Sequence, residues 1–173
     1  VYLEGSYARE GDLQARSNRP DASEVEYLSA GLAPSRQAHR ARRYPMMRYP
    51  WDRTEAALRA MADHSHGVMP ELDYVNPETG ADVLPTMGFT AMMLAAGLKT
   101  TPPRRSCSSA FHVVAGRGRT TIDGQTVGWG PKDTFSAPVF ASLSHEADEE
   151  AFLVRIHDRP LQEKLGYYEE RDS

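Results

Sequence analysis

Arg119-Thr120-Thr121-Ile122-Asp123-Gly124-Gln125-Thr126-Val127-Gly128-Trp129 spells out a β-hairpin. An Asp-Gly pair readily takes the positive backbone angles of a two-residue turn, whose twist matches that of its flanking strands. Strands are therefore expected over 119–122 and 125–129. Working outward, turn residues recur at short intervals: Asn76-Pro77-Glu78-Thr79-Gly80, Gly116-Arg117-Gly118, and Gly130-Pro131-Lys132-Asp133. Such punctuation marks a strand-rich barrel or sandwich, with further strands expected over 87–95, 108–115, 133–137 and 151–157. About eight strands of five or six residues with loops of four or five need roughly 80 residues. That matches the span from Asp73 to Asp158 and predicts an all-β jelly roll. Met92, Met93, Trp129 and Phe152 read as its core.

The flanks differ. Asp52-Arg53-Thr54-Glu55 has the logic of a capping box, with a helix from about Arg53 to Ala62 that ends at His64, His66 and Gly67. Leu161 to Leu165 after Pro160 reads as a short closing helix, with Asp158 near its start and Gly166 at its end. Residues 1–50 are polar and hold neither a strand nor a helix period. The expected division is thus an extended arm or interdomain linker over 1–50, a capped helix and loop over 51–72, and the barrel with its C-terminal helix over 73–173.

Composition excludes several classes. A chain of 173 residues with 40% hydrophobic content suits one globular domain with extensions. A net charge of −4 supplies no basic field for nucleic acid. The run Arg36, His39, Arg40, Arg42, Arg43 is short and reads as a solvated stretch or a partner contact. Cys107, the single cysteine, excludes an internal disulfide. The first residues carry Glu4, Arg9, Glu10, Asp12 and Arg16 where a signal peptide needs an apolar core, and the expected compartment is the cytoplasm. No initiator methionine precedes Val1, which leads to the expectation of further chain upstream.

Asp73-Tyr74-Val75-Asn76-Pro77-Glu78-Thr79-Gly80, followed by Leu84-Pro85-Thr86-Met87, resembles the tract that opens the C-terminal cupin of the gentisate 1,2-dioxygenases and their hydroxynaphthoate and salicylate relatives. So does the ending, Ile156-His157-Asp158-Arg159-Pro160-Leu161 through Leu165-Gly166-Tyr167-Tyr168-Glu169-Glu170, while Arg48-Tyr49-Pro50-Trp51-Asp52-Arg53-Thr54 resembles the linker between that family's two barrels. The resemblance implies a cupin double-stranded β-helix. The first cupin motif reads Gly, five residues, His-x-His, three or four residues, Glu, six residues, Gly. Gly97 and Gly116 stand at this separation, and the ligand positions between them are Pro103, Arg105 and Ser109. The second motif centres on a proline with a ligand histidine five residues later; Pro138 is present, the ligand position is Leu143, and Lys132 replaces the preceding glycine. Proline and leucine have no donor atom, arginine is always cationic and serine is a weak ligand. No metal is expected in this barrel. The resemblance implies that Fe(II), held by three histidines in an N-terminal cupin, cleaves the aromatic hydroxy-acid. This chain would be the C-terminal cupin half of the bicupin, acting as a scaffold beside that N-terminal half and homo-oligomer neighbours, with no catalytic residue of its own.

Other candidates need weighing against blander readings. By the strand parity of the motif, 105 and 109 face the interior with Phe111 and Val113, so Arg105 and Ser109 could line a small-molecule pocket for a carboxylic acid, with His145 near them. The plainer reading pairs Arg105 with an acid at the rim, with Arg104 and Lys99 beside it in solvent. His112 should point outward, and a buried His145 more often bonds a backbone carbonyl than a metal. His64 and His66 lie in a loop without a third ligand nearby in sequence. Cys107 follows two arginines that would lower its pKa, but a passive thiol is expected. Two rivals to the scaffold reading remain: a free-standing cupin that binds a small carboxylic acid, and a divergent metalloenzyme using His145 and His157.

Overall fold

The structure is a computed structural model that describes residues 48–64, 69–77 and 79–172. The arm up to residue 47, with its basic run, and His66 lie outside the described residues. From Tyr49 onward the chain forms one compact unit.

Two antiparallel sheets make its body. Strands β1 (Glu71–Asp73), β2 (Gly88–Leu94), β5 (Ser109–Ala115), β8 (Thr134–Ala137) and β10 (Ala151–His157) form a five-stranded sheet in the order β1-β2-β10-β5-β8. Strands β3 (Lys99–Thr100), β6 (Gly118–Ile122), β7 (Gln125–Trp129) and β9 (Leu143–Ala147) form a four-stranded sheet in the order β3-β9-β6-β7. The sheets are not joined into one closed ring of hydrogen bonds. A separate ribbon pairs β4 (Arg104–Arg105) with β11 (Glu170–Arg171).

The expected hairpin forms as β6 and β7, with Ile122 opposite Gln125. Asp123 and Gly124 take φ of 48° and 83° at its turn. Strands named from sequence fall within a residue or so of β2, β5, β6, β7, β8 and β10. Those without a sequence signal are short or irregular: β1, β3, β4 and β11 have two or three residues, and Leu143–Ala147 reads Leu-Ser-His-Glu-Ala, which lacks the usual β-branched enrichment.

The core lies between the facing sheets. Met92, Phe111, Val113 and Leu153 from the larger sheet meet Trp129, Leu143 and Ala147 from the smaller one. Strand β2 is buried on both faces, which is why it reads as a continuous apolar run instead of an alternation. Its other face, Ala91 and Met93, joins Phe152 and Leu58 under helix α1 (Trp51–His64). Met93 and Phe152 therefore belong to this outer layer, not to the space between the sheets. Burying a leucine as fully as Leu58 stabilises by about 1.5–3 kcal/mol, and the edge-to-face pair of Trp51 and Phe152, 5.8 Å between centroids, adds to the same seam.

Helix α1 begins before the expected Arg53 and runs past Ala62. Pro50 O accepts from Thr54 N, so Asp52 sits in the first turn instead of at the cap. The capping box does not form: Glu55 accepts from Trp51 Nε1 at 3.1 Å and from Arg59 instead. Helix α2 (Arg159–Leu165) starts ahead of the expected Leu161, with Pro160 in its first turn, and ends at Gly166, whose φ is 77°.

A β-bulge bends the centre of the large sheet. Phe152 pairs with Ala115 and Leu153 with Val113, leaving Val114 as the extra residue. Gly116 follows with φ 86°, and a Cβ there would lie 2.4 Å from Glu150 O and 2.5 Å from Ala151 Cα. Only glycine fits this corner.

Candidate functional site

Pro103, Arg105, Ser109 and Leu143, the four positions named from the cupin motifs, line a single cavity. Its geometry follows from local structure. Ribbon β4 delivers Arg105, the start of β5 delivers Ser109, and β9 delivers Leu143, whose neighbour across the sheet is Ile122. Cys107, Phe111 and Arg155 complete the wall. The free room is about 10 Å³, on the order of a single water molecule.

The residues present do not fit a metal ion. None of the four motif positions offers a nitrogen, thiolate or carboxylate donor that iron could use. Among the described residues, no three His, Cys, Asp or Glu side chains gather as a ligand set.

The three barrel histidines diverge. His112 is exposed and its Nδ1 meets Thr134 Oγ1 at 3.0 Å. His145 is fully buried between Phe111 and Phe135. Its partner is not the backbone carbonyl expected from sequence but a side chain: Trp129 Nε1 donates to Thr120 Oγ1, and that hydroxyl meets His145 Nδ1, each at 2.9 Å. Its Nε2 has no hydrogen-bond partner among the described residues. Burial, reinforced by the charges of Arg155 and Arg105, pushes the His145 pKa down to about 4. It does not line the cavity with Arg105 and Ser109.

His157 belongs to a second assembly. Thr90 Oγ1 donates to Asp73 Oδ1 at 2.6 Å, and so must accept from His157 Nε2 at 3.1 Å and from an Arg155 terminal nitrogen at 3.3 Å. Burial and the neighbouring Arg155 charge lower the His157 pKa to about 4 as well. Gly88, its cross-strand neighbour, makes room for the ring: a Cβ there would lie 2.2 Å from His157 Cε1. His64, at the end of α1, turns its Nδ1 to Ala60 O at 2.8 Å.

The C-terminal segment meets the cavity's rim at Arg105. Arg105 Nε donates to Glu170 Oε1 at 3.0 Å, so Glu170 is the rim acid. Tyr168 and Arg105 together hold the Glu170 carboxyl below the usual carboxylate range. Behind them, Ser106 Oγ donates to Gln162 Oε1 at 2.6 Å and Gln162 Nε2 returns to Ser106 O at 3.1 Å. Phe140 N donates to Arg105 O at 2.6 Å, and the Arg171 guanidinium sits 4.2 Å over the Phe140 ring. Arg104 and Lys99 are exposed. Cys107 is buried, and that burial raises its pKa despite the arginines nearby; a passive thiol results.

Sequence reasoning missed Arg155, Gln162 and Glu170. The signal for Arg155 was available. Strand alternation puts it on the same face as Leu153, inside the sandwich.

No protein-family model matches the chain. Relatives do. The gentisate 1,2-dioxygenase of Ralstonia sp. is 35% identical over 98% of this chain and 49% of its own length. The 5-aminosalicylate 1,2-dioxygenase of Comamonas sp. is 31% identical over 98% of this chain and 46% of its own. Among solved structures, a variant of the salicylate 1,2-dioxygenase from Pseudoaminobacter salicylatoxidans superposes with a TM-score of 0.77 at 27% identity, covering 87% of this chain and 46% of that one. The chain belongs to the gentisate 1,2-dioxygenase family. Its two facing sheets are the cupin fold of that family, and it spans about half the length of the curated relatives it matches. Within this gentisate 1,2-dioxygenase-like cupin, no described helix is long and apolar enough to cross a membrane.

Proposed function

We propose that this chain is the C-terminal, metal-free cupin of a gentisate 1,2-dioxygenase-like ring-cleaving enzyme, in which an N-terminal cupin holds Fe(II) and the aromatic hydroxy-acid. Its role is to bury surface against that half and against neighbouring copies in a cytoplasmic oligomer, holding the active site in shape without donating to the iron. One observation carries the reading: the four motif positions converge on one cavity, yet carry Pro103, Arg105, Ser109 and Leu143. Leu165 and Tyr167, 64% and 53% exposed, offer apolar surface for such packing.

The rival reading, a free-standing cupin that binds a whole carboxylic acid through Arg105, has less support. Arg105 Nε is committed to Glu170, and the cavity has no room for an organic molecule. The metalloenzyme reading has less still, because His145 and His157 are tied to different hydroxyls.

The test is iron content and gentisate-dependent oxygen uptake, measured on this chain alone and on any longer product of the same reading frame. The expected result is neither property in this chain and both in the longer product. Stoichiometric iron seated in this cavity would overturn the reading.

A further inference from the structure

Among the described residues, Arg155 is a buried charge with no carboxylate in ion-pair contact. It is 4% exposed, and a guanidinium stays protonated at any physiological pH. Its hydrogen bond to Thr90 is long, at 3.3 Å, and shares an oxygen already engaged by Asp73 and His157. Among the described residues, Arg155 Nε has no acceptor. Glu71 and Asp73 act on it through space without forming an ion pair, while Arg105 repels it. A buried cation left in this condition is strongly unfavourable, so a missing partner is the simplest account.

The place for that partner is the cavity itself. Arg155 and Arg105 both line it, Ser109 adds a hydroxyl donor, and no carboxylate is among its walls. A cation would be repelled by this lining. A room of about 10 Å³, on the order of one water molecule, is too small for an organic acid and admits at most one monatomic ion in place of that water. Phe111 and Leu143 supply an apolar floor, a setting that favours a weakly hydrated monatomic anion.

We propose that the cavity at the cupin motif positions is a halide site, in which one chloride-sized anion neutralises Arg155 and accepts a hydrogen bond from Ser109. The inference goes beyond the scaffold reading and is independent of any ring cleavage.

Thermal unfolding of the full chain in sodium chloride or bromide, against sodium gluconate at equal ionic strength, tests it. Halide should raise Tm saturably, by roughly 2–4 °C. Crystals grown in bromide should give an anomalous peak within hydrogen-bond distance of Arg155. Ser109→Val narrows the cavity without altering charge and should abolish the saturable response. Arg155→Met should abolish it too; if that variant does not fold, the wild-type peak and Ser109→Val still decide. Equal Tm in halide and gluconate, no bromide in the cavity, an undiminished response in Ser109→Val, or a response to formate but not to halide would each overturn the proposal.

Discussion

Gly97 and Gly116 bracket the first metal motif and take φ of 74° and 86°, as that turn geometry demands, whereas the ligand positions they frame hold Pro103, Arg105 and Ser109. The two sets of residues answer to different constraints. A turn that needs a positive φ, or a corner with no space for a Cβ, is required by the fold whatever the cavity does. A ligand position must only be filled with something that packs, once no ion has to be held. The second motif shows an intermediate case. Lys132 stands where the pattern has glycine and takes φ of 75°, so the turn keeps a left-handed shape without the residue suited to it. Phe140, φ 55°, is held in a similar conformation by its bond to Arg105 O and by Arg171.

The largest effect should come from attacking the frame. Gly116→Val would drive side-chain carbon into Glu150 O and Ala151 Cα, both backbone, beside the central bulge. A loss above about 4 kcal/mol, or failure to fold, is expected by urea unfolding. A variant of near wild-type stability would show that the frame is no stricter than the cavity.

The interior polar assemblies come next. Both His145 and His157 have folded pKa values pushed down to about 4 by burial, with Arg155 adding to it, whereas an unfolded imidazole titrates near 6.5. The unfolded chain therefore binds more protons across that interval. Stability is complete above about pH 6.5 and is lost as pH falls toward 4, by at most ~3 kcal/mol for each histidine. Urea midpoints at pH 7 and 4.5 should show the loss, and His145→Gln should shrink it. An unchanged pH dependence in that variant would mean that His145 is not held neutral.

The smallest effect sharpens the intermediate case. Lys132→Gly relieves a left-handed lysine and should stabilise by about 0.5–1 kcal/mol, the strain relief exceeding the entropy cost of glycine. A rise in Tm checks it. A fall would show that the lysine side chain contributes something that outweighs its backbone strain.

Most of the frame was legible in the sequence because its signals are local. Asp123-Gly124 dictates a turn by its own backbone preference, and the apolar run of β2 reports burial on both faces. The capping box misled because a proline lies just ahead: Pro50 O begins the helix, and Glu55 is drawn to Trp51 and Arg59. Motif spacing placed Arg105, Ser109 and Leu143 in the cavity wall, but the partners of these residues come from far along the chain. Glu170 reaches Arg105 from 65 residues away, and Gln162 reaches Ser106 from 56. Short strands such as β4 and β11 exist only because these distant segments meet, so neither carries a pattern of its own.

By itself the sequence determined the all-β architecture, the hairpin, the positions of the motif glycines and the absence of donors at the motif ligand sites, since each depends on the intrinsic preferences or chemistry of residues near one another in the chain. Tertiary structure alone decided that His145 is served by Thr120 and Trp129, that His157 shares Thr90 with Arg155, and that Arg155 lines the cavity with its Nε unpaired among the described residues. Those outcomes depend on which side chains converge from opposite sheets and strands, and on how little water reaches them there, quantities that no local stretch of the chain encodes.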